Sequence, residues 1–385
     1  MILCDGYTSY RVCEQRELVG FPLTLFKKIE VCVPSIFIYE NNLYFPNEDG
    51  RLACYDQITF ENIWVSDTDK LLPIYPLVSN DSILVVRYSD EKVSRIKLGN
   101  GEFIENLDFR YSSKWLINDE VIYARGYNRN KECKYSIKAI CSNTFTIGWE
   151  YSRLDFGNFS VSKSYVLLKS DSGVFFALDK SGNELWSHSV SRNPSLFEID
   201  GADLSQSSEG EGINSFNTTL GDPIIYDDRI GVLPVLCNQL AGIDLKTGDV
   251  LWLRKLSRSA SSSRVAYGKI LYCMGENHIE AICLNTGGVK KIIEVDTSLL
   301  HKKLNIKDID FGLFTVTDTH IFAASQSCHV FVAINLSSGV IEWFFSPENP
   351  IGSTNVPYVS NGRVYFPCFK QLYVFEASNG FTSLR

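Results

Sequence analysis

The stretch Phe176-Ala177-Leu178-Asp179-Lys180-Ser181-Gly182-Asn183-Glu184-Leu185-Trp186 returns twice in altered form. The second copy is Ala241-Gly242-Ile243-Asp244-Leu245-Lys246-Thr247-Gly248-Asp249-Val250-Leu251-Trp252, and the third is Val332-Ala333-Ile334-Asn335-Leu336-Ser337-Ser338-Gly339-Val340-Ile341-Glu342-Trp343. In each, a small residue is followed two places on by Asp or Asn. A turn with Ser or Thr and Gly comes next, then a short apolar run that ends in Trp. Weaker copies place the Asp-equivalent position at Asp56, Lys97, Cys141, Cys283 and Glu376. The eight positions are separated by 41, 44, 38, 65, 39, 52 and 41 residues, and five of the six Trp fall seven or eight residues after them.

Each unit reads as four strands. In the seventh, Thr315–Thr317, His320–Ala324, Val330–Ile334 and Val340–Phe344 are β-rich runs with turn residues between them. The Asp-x-x-Thr-Gly turn has a physical logic: the carboxylate accepts backbone N–H groups two residues on, and Gly takes the positive φ that closes the hairpin. The small residue suits a strand squeezed between neighbours, and the Trp fills the gap between units. A period near 40 residues with four strands per unit predicts an all-β fold, a single β-propeller of eight four-stranded blades over residues 1–385. Seven blades remain if the degenerate unit around Lys97 is not a true blade. The last unit ends too near the chain terminus for a full outer strand. The run Pro22–Val31 upstream of the first unit is therefore expected to complete the last blade and close the ring, removing open edges.

The repeat resembles the tryptophan-docking motif of the pyrroloquinoline-quinone propeller superfamily, over nearly the whole chain from about residue 35. That superfamily includes quinoprotein dehydrogenases and the lipoprotein of the outer-membrane β-barrel assembly machine. The resemblance implies the fold and leaves activity open, since one propeller carries many unrelated functions. The quinoprotein enzymes are longer and secreted, with a vicinal disulfide under the cofactor, Ca²⁺ and a catalytic Asp. This chain has no Cys-Cys pair, and its Asp179 and Asp244 match the turn motif. The five His residues (188, 278, 301, 320 and 329) show no metal-ligand spacing, and no phosphate loop or nucleophile elbow is present. The reading is a non-enzymatic member without cofactor or metal. The alternatives are a quinone-dependent dehydrogenase-like enzyme, or small-ligand or carbohydrate binding in the central channel.

Charge narrows the partners. Asp and Glu number 45 against 37 Lys and Arg, a net charge of −8 that argues against nucleic acid as partner. No apolar run is long enough to span a bilayer. With Met1 as the native start, the opening residues lack a basic and an apolar signal region, so the expected location is cytoplasmic. The 11 Cys form no CxxC and mostly sit in apolar runs, where reduced thiols act as small hydrophobes.

Two stretches exceed the period. Residues 191–222 are polar and acidic, with Glu198, Asp200, Asp203, Glu209 and Glu211; residues 296–312 contain Leu299-Leu300-His301-Lys302-Lys303-Leu304, with the length of one or two helical turns. Asp200 and Asp203 supply too few oxygens for a Ca²⁺ site and read as solvated acids. Both insertions join the outer strand of one unit to the inner strand of the next. With antiparallel blades they emerge on the same face as the long loop 125–134, which carries Arg129 and Lys131. Long loops on a rigid scaffold carry function, so this face is the candidate site for a protein partner. Glu198, Asp200, Asp203, Glu209, Glu211, Arg129, Lys131, Lys302 and Lys303 are its contact candidates. The expected role is a monomeric cytoplasmic adaptor or inhibitor. One concrete form is an immunity protein that neutralises a bacterial toxin, because negative loops match the basic cleft of a nuclease-type toxin.

Overall fold

The computed structural model describes residues 10–13, 21–32, 36–68, 70–71, 77–79, 81–86, 92–110, 115–127, 135–153, 156–170, 173–189, 223–236, 239–257, 264–275, 277–306, 309, 311–325, 327–348, 351 and 356–377. Eight sheets are arranged as eight blades, each built on four antiparallel strands. Blades 1 to 7 span residues 37–65, 77–110, 115–153, 156–189, 224–255, 264–294 and 314–345. The unit around Lys97 is a complete blade, the second. The eighth takes its inner three strands from Tyr358–Ser360, Arg363–Cys368 and Gln371–Ala377, and its outer strand from Leu23–Glu30. Leu23 lies opposite Ala377 and Glu30 opposite Gln371, so the N-terminal segment closes the ring as the sequence predicts. Among the described residues no helix is long and apolar enough to cross a membrane.

The repeat turns follow from their chemistry. Asp56 Oδ1 accepts the amides of Ile58 and Thr59 at 2.8 and 2.7 Å, and Asp244 Oδ1 accepts those of Lys246 and Thr247 at 2.9 and 3.1 Å. Asn335 does the same through Oδ1. Cys141 and Cys283 occupy this position in blades 3 and 6. The Thr144 hydroxyl and the amides of Thr144 and Asn143 hold the Cys141 thiol below its ordinary range, so sulfur replaces carboxylate as the acceptor.

Contacts between blades repeat one device. The indole N–H of Trp64 donates to Leu98 O at 3.2 Å, Trp149 to Lys180 O at 2.8 Å, Trp186 to Leu245 O at 2.8 Å and Trp252 to Leu284 O at 3.0 Å. Each acceptor directly follows the Asp position of the next blade. The ring lies against the glycine of that same turn. A Cβ on Gly101, Gly182, Gly248 or Gly287 would meet the indole at 2.4, 2.8, 2.8 or 2.6 Å. All four glycines also have φ between 67° and 84°, which side-chain-bearing residues rarely adopt. Trp343 reaches the closing strand instead, donating to Leu23 O at 3.0 Å with its ring edge-on to Phe375 at 4.8 Å.

Three interfaces vary the device. Phe145 and Phe60 occupy the glycine position of blades 3 and 1, and there the incoming group is a cation. Arg95 of blade 2 lies 5.1 Å from the Phe145 ring, with Glu105 paired to it at 3.2 Å. Arg363 of blade 8 lies 5.3 Å from the Phe60 ring, paired with Glu376 at 3.2 Å. Its Nη1 donates to Gln57 O and Ile58 O at 2.8 and 2.9 Å, and Gln57 supplies the carbonyl that indoles use elsewhere. In blade 6 Lys291 stands opposite Ala281, where Trp stands in other blades, and its ammonium donates to Leu336 O and Ser337 O at 3.2 and 2.6 Å.

The sequence did not signal a second N-terminal strand. Tyr10–Cys13 pairs in parallel with Arg264–Tyr267, the innermost strand of blade 6, and makes that blade five-stranded.

Two outcomes test this arrangement. Trp252→Ala empties a buried interblade contact and removes a hydrogen bond. It should cost about 3–5 kcal/mol in urea unfolding, as large-to-small core changes do. The Thr59 amide, helped by that of Ile58, holds the Asp56 carboxyl below the usual carboxylate range. Its folded pKa lies under its unfolded one, so its contribution is present above about pH 4 and is lost as pH falls through the depressed value. Asp56→Asn keeps the acceptor and should flatten that part of the acid unfolding curve.

Candidate binding face

Connections from outer strand to next inner strand, and from second to third strand, share one face of the ring. Three features meet there over blades 5 to 7. The first is the connection between blades 6 and 7. Asp296 Oδ1 accepts the Ser298 amide at 2.9 Å and starts a helix, Ser298–Leu304. Asn305, in the left-handed region at φ 58°, ends it by donating its N–H to His301 O. Leu300, Ile309 and Phe311 are buried in one apolar cluster with Ile293 of blade 6 and Val316 and Ile341 of blade 7. The helix is therefore pinned from below. Lys302 and Lys303 are exposed in its last turn, where cations suit the helix C-terminus.

The second feature is a polar row in the seam between blades 5 and 6. Ala266, Cys273 and Ile282 of blade 6 pack with Leu240 and Trp252 of blade 5, which fixes the side of blade 6 that faces blade 5. Side chains alternate along a strand. Arg264, two residues before Ala266, and Glu280 and His278, before Ile282, therefore share that side. Arg264 is opposite Cys273, and Cys273 opposite Glu280. Arg264 and Glu280 are each only 1% exposed. At the position of Glu280 the other blades carry Ala53, Phe176, Ala241, Val332 and Tyr373, with Ser94 and Lys138 in blades 2 and 3. Burying a carboxylate there costs free energy unless it is well paired.

Glu280 Oε1 accepts the Ser257 amide at 2.6 Å and the Ser257 hydroxyl at 2.5 Å, and His278 Nε2 lies 2.7 Å from the same hydroxyl. A serine hydroxyl has one proton. With that proton on Glu280, the remaining bond runs from His278 Nε2–H to Ser257 Oγ. A nucleophilic relay needs the opposite arrangement, with an unprotonated Nε2 toward serine and the carboxylate on Nδ1. Gly275 lets the ring sit here, because a Cβ on it would meet His278 Cε1 at 2.3 Å. Burial pushes the Cys273 thiol up to about 12, with Glu280 adding and Arg264 opposing, so this thiol is inert. Glu280 Oε2 and Arg254 Nε are buried without a hydrogen-bond partner among the described residues. Arg254 follows Trp252 by two residues on the strand of blade 5 that faces this seam.

The third feature is the end of the innermost strand of blade 6 at Arg264, beside which Tyr10 is placed. Among the described residues no group of three His, Cys, Asp or Glu side chains is arranged to hold a metal ion.

Of the contact candidates read from sequence, the structure places Lys302 and Lys303 on this face. Glu198, Asp200, Asp203, Glu209, Glu211, Arg129 and Lys131 lie outside the described residues. Sequence reasoning missed Ser257, His278, Glu280, Arg264 and Arg254. One signal was available: a Glu in a strand whose equivalents in other blades are mostly apolar.

Comparison with known proteins agrees with the ring. The family model of the outer membrane protein assembly factor BamB matches residues 133–382. No curated protein matches this chain. In structure the chain is similar to BamB from Moraxella catarrhalis, with a TM-score of 0.62 and 14% identity over 94% of this chain and 99% of that one. It is also similar to the computationally designed Ika8 protein, with a TM-score of 0.61 and 10% identity over 94% and 100%. The quinohemoprotein alcohol dehydrogenase from Comamonas testosteroni aligns with a TM-score of 0.63 and 9% identity over 96% and 79%. At these identities the structures speak for the fold, and the match of the repeat model over more than half of the chain shows that it belongs to the BamB family of pyrroloquinoline-quinone-like β-propellers.

Proposed function

We propose that this propeller is a non-catalytic protein-binding module, an adaptor or inhibitor, and that its partner docks on the loop face over blades 5 to 7. The observation that carries this reading is the convergence there of a pinned helix with outward lysines and a buried polar row with unfilled hydrogen-bond positions. A rigid ring supplies preorganisation, which lowers the cost of binding. The Ser257–His278–Glu280 arrangement supports binding over catalysis, because its carboxylate holds the serine itself. The acidic residues of the connection leading into blade 5 favour a partner with a basic face, of which a nuclease-type toxin is one form. Electrostatic steering would then set the association rate.

The test begins with a pull-down from cell extract and continues by surface plasmon resonance on the partner obtained. Replacing Glu198, Asp200, Asp203, Glu209 and Glu211 together by their amides should leave the unfolding midpoint unchanged. It should slow association about tenfold or more at low salt, with little change in dissociation. Unchanged association at every salt concentration would remove the acidic connection from the interface. Lys302→Ala with Lys303→Ala should accelerate dissociation, and a partner indifferent to both sets of changes would place the interface elsewhere.

A further inference from the structure

The innermost strand of every blade turns one backbone edge toward the central channel. Among the described residues, seven blades stop at four strands and leave that edge unpaired, while blade 6 alone has a fifth strand. The fifth strand is Tyr10–Cys13, in parallel register with Arg264–Tyr267: Tyr10 opposite Arg264, Arg11 opposite Val265, Val12 opposite Ala266 and Cys13 opposite Tyr267. Arg264 begins its strand at the loop face, so Tyr10 lies at the loop-face mouth of the channel and Cys13 toward the other face.

We propose that the inner edge of blade 6 is a strand-capture site, at which an extended segment of a partner protein adds in parallel to Arg264–Tyr267 in place of the chain's own Tyr10–Cys13. The proposal deepens the protein-binding reading and relies on it for the class of partner. Three observations support it. First, the edge accepts a strand in parallel register, as the chain's own residues show. Backbone hydrogen bonds give such strand addition its affinity with little demand on sequence. Second, the resident strand is short, with four paired positions. Each net hydrogen bond contributes about 0.5–1.5 kcal/mol, and ordering each residue costs about 1–2 kcal/mol. The two nearly cancel, so the resident strand leaves the edge at little cost, and a longer segment displaces it once its additional contacts offset the advantage of the resident's tether. Third, displacement leaves the ring closed. Leu23–Glu30 is held separately at seven paired positions in blade 8, and Leu23 O receives the Trp343 indole. Phe21, 4.2 Å from the His320 ring in blade 7, anchors the chain before that strand.

The capturing edge starts at the polar seam. The partner segment that fits is extended, rich in β-branched and aromatic residues, and free of proline across four or more positions.

The test uses the full chain and a full-length variant with Arg11→Pro and Val12→Pro. Adjacent prolines remove the amide facing blade 6 in whichever alternation the strand adopts. The probe is a fluorescent synthetic peptide of residues Tyr7–Gln15. Hydrogen exchange at the alternate amides of Arg264–Tyr267 that face the channel should be slow in the wild-type chain, fast in the variant, and slow again when the variant is saturated with peptide, while the amides bonded to the neighbouring strand Ile270–Met274 stay slow throughout. The peptide should bind the variant at least tenfold more tightly than the wild type, and a peptide carrying the two prolines should bind neither. Unchanged unfolding midpoint and Trp fluorescence serve as the folding control. A second variant lacking residues 1–13 should behave as the proline variant does. Equal exchange in wild type and variants, or no recovery of protection with peptide, overturns the proposal. The probe needs no natural partner, so peptide capture together with a partner indifferent to both the acidic and the lysine substitutions would sink the loop-face reading alone. The converse result would sink strand capture alone.

Discussion

The contact on which the ring depends is an indole from one blade laid on the glycine turn of the next, with its N–H bonded to the carbonyl beside the Asp position. A single four-stranded sheet of this size cannot bury both of its faces. Each blade becomes stable only between two neighbours, and the apolar clusters of the protein accordingly lie between blades. The indole combines three demands at that seam. It buries a large flat area with few rotatable bonds, it satisfies a carbonyl that the turn leaves exposed, and it fills space that only glycine vacates. Those demands also explain the turn, since the glycine must combine a positive φ with an absent Cβ.

The variations obey the same constraint. Where Phe takes the glycine position at Phe60 and Phe145, no room remains for an indole. A guanidinium lies on the phenyl ring instead, steadied by Glu376 or Glu105. At the joint between blades 8 and 1, Arg363 supplies both the ring contact and the carbonyl bond. Lys291 keeps the carbonyl bond and gives up the ring contact. Where the acceptor turn loses its glycine the donor changes with it, whereas at Lys291 the donor changes while Gly339 stays.

The fold was legible in the sequence because the docking pair leaves a visible trace. Trp and Gly recur at fixed distances from Asp, and Gly is hard to replace. The polar joints were not legible, because Arg95 and Arg363 reach the seam from strands other than the one that carries Trp and so break the spacing. The closing strand could be read from the shortage of chain after Glu376. Tyr10–Cys13 could not, since pairing along a channel edge uses backbone groups and asks little of the side chains. Of the candidate site, the helix bearing Lys302 and Lys303 was legible as excess length over the repeat. The Glu280 row was hidden, because burial of a charge is a property of the seam, and the residues that meet there, Ser257 and His278, are separated by a whole hairpin.

A ring held at its seams has consequences for binding. The loop face over blades 5 to 7 stays rigid only if the seam beneath it does, and Trp186 and Trp252 hold the seams on either side of blade 5. The measurement that bears most directly on this account is a double-mutant cycle in urea on Trp186→Ala and Gly248→Ala. Part of the cost of Gly248→Ala is backbone strain, which persists in either background, and part is collision with the Trp186 ring, which vanishes with the ring. The account predicts a coupling of about 0.5–3 kcal/mol, with the double variant less destabilised than the sum of the singles. Additivity within about 0.5 kcal/mol would contradict it, because the indole and the glycine would then act on stability independently.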